Sequence, residues 1–246
     1  MAVTDHDTTA AVIEVRESAA ARGIEAISGI EITAMHAGVD VHMLGYFFDP
    51  DDRPLASFLA AQRATRVRRV KQIAERLAEL AMPIDVDRIL IEARQYPSRS
   101  VGRPQVARAM VAAGHAVDMR DAFDRWLGRG QPAFVDRPGA SPSDVVSQLH
   151  AAGGLASMAH PGRTRMDDLI PQLAASGLDA IEVFHSDHDA AAIERYRDLA
   201  QHLGLLATGG SDYHGDPGRD LQPGSSTLPQ EHWERLKERW LTLTPR

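Results

Sequence analysis

Five short apolar runs, each ending in or leading into polar or glycine-rich sequence, constrain this chain more than any other feature. They cover residues 26–32, 41–48, 154–160, 180–185 and 205–212, and helical patterns separate them. Alternation of this kind predicts βα units rather than a sandwich. Residues 1–3 read as the end of one more buried strand, with Thr4-Asp5-His6-Asp7 packing ionisable groups against it. The helices carry end signals of their own. Ser141-Pro142-Ser143-Asp144 sets a hydroxyl at an N-cap, proline at the first helical position and a carboxylate where the helix dipole favours it. That helix is expected to run to about Ala152 and to stop at Gly153-Gly154.

Residues 52–140 have a different pattern. Leu55, Phe58, Leu59, Val70, Ile73, Leu77 and Leu80 recur mostly at three- and four-residue spacing until Pro83. Further helical segments follow at 85–94, 103–113 and 118–127, with no strand pattern among them. The region reads as an α-helical insertion, a cap, between the two parts of an α/β body formed by 1–51 and 141–246.

Composition narrows the function. At 246 residues and 43% apolar content the chain can fill one large core. A net charge of -7 argues against a general nucleic-acid or membrane-surface binder, so stable binding of duplex DNA is not expected. Without cysteine there are no disulfides, no thiolate nucleophile and no Cys-based zinc site, which leaves imidazole and carboxylate as metal ligands. No apolar run is long enough for a membrane span and no signal peptide is visible, so a cytoplasmic protein is expected.

The histidines and carboxylates fall where α/β folds build sites. His6, Glu31, His160, His185, Asp212 and His214 lie at or just past the ends of apolar runs, and His42 lies inside one. His160-Pro161-Gly162 and 210–215 put imidazole beside glycine or proline on tight turns, which suits a fixed ligand. A lone histidine at a strand end is more often structural, and His36, His115, His150, His202 and His232 stay in that class. The joint pattern predicts a multinuclear centre of mixed nitrogen and oxygen ligands, suited to Mn, Zn or Fe.

Read in order, TDHDTT, GIEIT, VHMLGYFFD, AHPGR, GLDAIEVFHSDH and GGSDYHG resemble successive motifs of the PHP (polymerase and histidinol phosphatase) family of metal-dependent phosphoesterases. SVGRPQVARAMV and AFDRWLGRGQPAFV extend the resemblance through the insertion, toward the branch of nucleoside 3′,5′-bisphosphate phosphatases and RNA 5′-end exonucleases. It implies a distorted (β/α)7 barrel whose strand ends hold up to three divalent ions, manganese in most of this branch. By motif, Glu31 bridges the first and second ions, His42 and His160 complete the second, Asp212 serves the first, and His6 with His214 serves the third. The family's opening His-x-His, the aspartate after it and the helix that follows would all precede Met1. The chain therefore reads as a barrel lacking its first strand and helix, and Met1 as an internal methionine of a longer product. Made as written, it is expected to be a crippled or unstable enzyme, since a missing strand leaves neighbouring strand edges unpaired.

For substrate recognition the resemblance and the need for fixed positive charge point to Arg163 and Arg103. His188 is a candidate to touch substrate or to assist the metal-activated water as an acid, with a surface role as the alternative. Arg63, Arg66, Arg68, Arg69 and Lys71 read as a solvated helix face, or as a guide for a second phosphate. The expected partner is a small phosphorylated nucleotide or a short RNA 5′ end. Histidinol-phosphate hydrolysis is the runner-up, and a non-catalytic relative that binds a nucleotide or a protein partner is the reading from a different class.

Overall fold

The computed structural model describes residues 1–95, 100–214 and 221–243. In chain order its elements are α1 (Val12–Ala20), β1 (Gly29–His36), β2 (Val39–Tyr46), α2 (Arg53–Glu79), α3 (Val86–Gln95), α4 (Arg103–Ala112) and α5 (Met119–Ala122). There follow a π-helical turn (Phe123–Leu127), α6 (Pro142–Ala151), β3 (Leu155–Met158), α7 (Pro161–Thr164), α8 (Leu169–Ala175), β4 (Ala180–His185), α9 (Ala190–Leu203), β5 (Leu206–Gly210) and α10 (Gln230–Leu243). All five apolar runs contain a strand, and the insertion is helical, as its spacing requires.

The five strands form one sheet in the order β1-β2-β3-β4-β5. β3, β4 and β5 are parallel, and helices on the connections between them give the expected βα units. β1 and β2 differ from that expectation. They are an antiparallel hairpin, and β2 is antiparallel to β3. Only Ala37-Gly38 separate the two strands, too few residues for a crossover helix. Both have positive φ, 49° and 75°, as a tight hairpin turn demands.

Residues 1–3 do not form a strand. The segment lies parallel to β1 and meets it in a single bridge, His6 to Glu31. Ile27 N–H donates to the Met1 carbonyl (3.0 Å), Glu31 N–H to Asp5 (3.1 Å) and Asp7 N–H to Glu31 (2.8 Å). These bonds are enough to deliver His6 to the sheet.

α6 begins as its sequence dictates. Asp144 N–H donates to the Ser141 hydroxyl (3.2 Å), and the Asp144 carboxylate accepts Ser141 N–H (2.9 Å). Val145, Val146 and Leu149 then pack on the sheet with Ile30, Ile32, Met43, Met158 and Ile181. A second apolar cluster, built on Val70, Ile73, Leu77, Val106, Met110 and Leu127, lies among α2 to α5.

α2 joins the two clusters. Its 27 residues span about 40 Å. Leu55 and Leu59 belong to the sheet's cluster and Val70, Ile73 and Leu77 to the helical one. Between them is a polar layer in which three of the helix's arginines turn inward. Arg63 donates to the Asp7 carbonyl (2.7 Å), Arg66 to the Asp7 carboxylate and the Thr33 hydroxyl (2.5 Å), and Arg69 to the Val135 carbonyl (2.9 Å). The expected solvated face is thus confined, among the arginines, to Arg68 with its exposed bond to Thr65.

Candidate metal centre

The hairpin register sets the first ligands. Thr33 lies opposite His42 and Glu31 opposite Leu44, so one face of the antiparallel pair carries Glu31, Thr33 and His42. Glu31 is buried, and its Oε1 lies 2.6 Å from His42 Nδ1. His160, just past β3, brings Nε2 to 3.2 Å from that oxygen and 3.2 Å from His42 Nδ1. The other Glu31 oxygen, Oε2, lies 3.4 Å from His6 Nδ1. His6 Nε2 in turn lies 3.5 Å from His214 Nε2. One carboxylate is therefore shared among imidazoles, and the donor atoms of His6, Glu31 and His42 all lie within 4.8 Å of one another.

Asp212, past β5, completes the ring of expected ligands. Its Oδ2 lies 3.6 Å from His185 Nε2 and accepts Arg163 (2.8 Å), while Oδ1 is 3.5 Å from His214 Nδ1. All six expected ligands are neighbours, although they lie as far apart in sequence as 6 and 214. Gly215, which ends the last motif, lies outside the described residues.

The backbone is strained where these side chains start. Asp7, His160 and Asp212 have φ of 53°, 26° and 48°, in the left-handed region that costs a non-glycine residue about 1–3 kcal/mol. Such conformations persist only where surrounding contacts fix them. At Asp7 those contacts are Arg66, Thr33 N–H (2.9 Å) and Arg137 (3.6 Å) around a fully buried carboxylate. At His160 the main contact is Glu182, whose Oε2 accepts the His160 N–H (2.8 Å).

Glu182 was absent from the expected site. Its signal in the sequence is a carboxylate inside a fully apolar stretch of strand, a placement that needs a specific partner. Burial pushes its pKa up to about 7 despite the neighbouring His185. Burial acts on Glu31 in the same direction, but the charges of His42 and His6 and hydrogen bonds from His160 and His42 outweigh it and hold Glu31 well below the ordinary carboxylate range. His42 is raised, because Glu31 outweighs the effect of its burial. His6 falls to about 4, chiefly by burial.

The remaining expected residues are placed as follows. Arg163 is half-exposed beside Asp212 and lies 3.7 Å from Asp187. Arg103 is in an ion pair with Asp40 (2.9 Å) and packs over the rings of Phe123 and Phe134. His188 does not reach the mouth of the site. It is buried, its Nδ1 is 2.9 Å from the Val183 carbonyl and its Nε2 accepts Gly162 N–H (3.2 Å). A Cβ on Gly162 would lie 2.8 Å from that nitrogen, so glycine is what lets the turn after His160 close on His188. With both nitrogens engaged by backbone, the ring has none left for a substrate.

The donor set fits a divalent cation. Atoms about 2.1 Å from one ion lie roughly 3 Å from each other, the spacing of the Glu31, His42 and His160 donors. His6 Nδ1 and His160 Nδ1 are buried with no hydrogen-bond partner among the described residues, as polar atoms close to an ion site can be. The ligands open into a cavity of about 890 Å³, whose polar end is lined by His6, Glu31, His160, Asp212 and His214. That is room for a small organic substrate.

No protein-family model matches the chain. Individual relatives do. It is 32% identical to a 3′,5′-nucleoside bisphosphate phosphatase of Chromobacterium violaceum, over 98% of this chain and 87% of that protein. It is 31% identical to a 5′-3′ exoribonuclease of Haemophilus influenzae, over 96% of this chain and 88% of that one. A crystal structure from Bifidobacterium adolescentis, described as a proposed metal-dependent phosphoesterase, superposes with a TM-score of 0.85 at 33% identity, covering 100% of this chain and 86% of its own. With the motifs, the convergent ligands and relatives matched nearly end to end, the chain belongs to the polymerase and histidinol phosphatase (PHP) family of metal-dependent phosphoesterases.

Proposed function

We propose that this chain hydrolyses a phosphate ester of a nucleotide, either a 3′,5′-bisphosphonucleoside or the 5′ end of a short RNA. The observation that carries the reading is the triangle of Glu31, His42 and His160 donors, of which Glu31 and His160 line the polar end of the cavity. The names of two relatives supply the two substrate classes. A divalent ion held by these residues, manganese by preference with zinc or iron as alternatives, would supply a Lewis acid and an activated water.

The chain's own groups do the rest. Glu31 presents one oxygen to His42 and His160 and the other to His6, which suits a bridging carboxylate. Asp212, His6 and His214 extend the donor set along the same wall. Arg163 offers a half-exposed planar donor to phosphoryl oxygens. Arg103, the second arginine this reading assigns to substrate, is held in an ion pair with Asp40. His188 acts through the turn that carries His160, and Glu182 through the His160 backbone.

The same reading takes residues 1–51 and 141–246 as a barrel-like body and 52–140 as a cap that selects substrate. Its support is the pair of apolar clusters joined by α2, with the polar layer between them. The test is phosphate release with Mn2+ from adenosine 3′,5′-bisphosphate and nucleotide release from 5′-phosphorylated RNA. Glu31→Gln is expected to lower either activity by more than roughly 100-fold, with metal content falling in parallel. A parent protein that releases neither product contradicts the proposal.

A further inference from the structure

A second cleft of about 450 Å³ opens between the start of α1, the side of α2 and α3. Thr8 and Thr9, two and three residues past His6, form one lip. Arg63 of α2 and Arg94 of α3 supply positive charge, and Leu59, Val67 and Leu90 supply apolar wall. None of the described residues that line it is acidic, in a chain whose net charge is -7. Ser100 Oγ, also at the cleft, is buried with no hydrogen-bond partner among the described residues. Arg63 ties the cleft to the centre, because it donates to the carbonyl of Asp7, the residue after His6.

Guanidinium groups, hydroxyls and an apolar wall within a volume of this size match one nucleotide, phosphate on the arginines and base on the leucine and valine side. We propose that the cleft holds the nucleotide that follows the one being hydrolysed. On this assignment the chain's substrate class is a short single strand of RNA with a 5′ phosphate, and a mononucleotide leaves the cleft empty. The inference rests on the reading of the centre given above, and it predicts which of the two substrate classes gains from the cleft.

Kinetics of the full chain on 5′-phosphorylated triadenylate and on adenosine 3′,5′-bisphosphate test it. Two variants change the cleft without touching the centre, Arg94→Glu and Ala56→Glu, the latter placing a carboxylate at an exposed lining position of α2. Each is expected to raise KM for the trinucleotide by about five- to tenfold, with kcat unchanged and KM for the bisphosphate within about twofold. Binding of labelled trinucleotide in chelator, read by anisotropy, should weaken similarly, and Arg94→Ala should lower its salt dependence by about 0.7 in log–log slope. Variants that leave trinucleotide kinetics and binding unchanged, or that impair both substrates equally, overturn the cleft's role while leaving the proposed activity standing. Arg94-dependent binding by a parent that hydrolyses neither substrate overturns the activity and supports the cleft. A parent that neither binds nor cleaves the trinucleotide overturns both.

Discussion

At the scale of single residues, Glu182 shows most clearly how burial and function are linked. Its carboxyl is raised from 4.5 to about 7, so over that interval the folded chain holds a proton that the unfolded chain releases. Below pH 4.5 both states are protonated and the effect vanishes; above pH 7 the folded state bears the full cost of a buried charge. In metal-free protein Glu182→Gln is therefore expected to be more stable than the parent by about 2–3 kcal/mol at pH 8, and nearly equal at pH 4. Urea unfolding in chelator at the two pH values checks this, and a gain of the same size at both contradicts it. His6, Glu31, His160, Asp212 and His214 stood out as candidates by residue type and position at run ends and His42 by its place inside one, and the motif resemblance separated these six from His185. Asp7 and Glu182 were not, because the groups that justify their burial are backbone N–H groups and arginines distant in sequence. For His188 the residue type was visible but its role was not, since two backbone partners claim its ring.

At the scale of elements, local chemistry predicted helices better than strand pairing. α6 starts at Pro142 behind the Ser141 cap, as Ser-Pro-Ser-Asp implies. Ser141→Ala is expected to cost about 1 kcal/mol with metal content unchanged, since no described residue of α6 lines the cavity. A shift in the urea midpoint at constant slope measures it, and no shift would mean that Asp144 alone holds the helix start. The β1–β2 hairpin was missed because Ala37 is a poor sequence signal for a turn that needs positive φ. Its direction nonetheless matters, because antiparallel pairing puts His42 opposite Thr33 and within reach of Glu31.

At the scale of the whole molecule, the centre ties together residues from 6 to 214, and α2 ties the sheet's core to the helical one. A ligand that binds only the assembled centre stabilises the entire fold. Manganese at about 100 times its dissociation constant should add about 2.7 kcal/mol, which for a chain of this length is roughly 5–10 °C in Tm relative to chelator-treated protein. Calorimetry with and without Mn2+ checks this, and an unchanged Tm at saturating metal contradicts a centre built from these ligands. Among the described residues no helix is long and apolar enough to cross a membrane. The sequence by itself determined the helices and the five strand positions, because spacing, caps and residue types are local properties of the chain, and its motifs supplied the candidate ligands through their resemblance to a family. Tertiary structure alone decided the inward turn of Arg63, Arg66 and Arg69 and the roles of Asp7, Glu182 and His188, because each depends on which group brought near by the fold satisfies a buried charge or ring nitrogen.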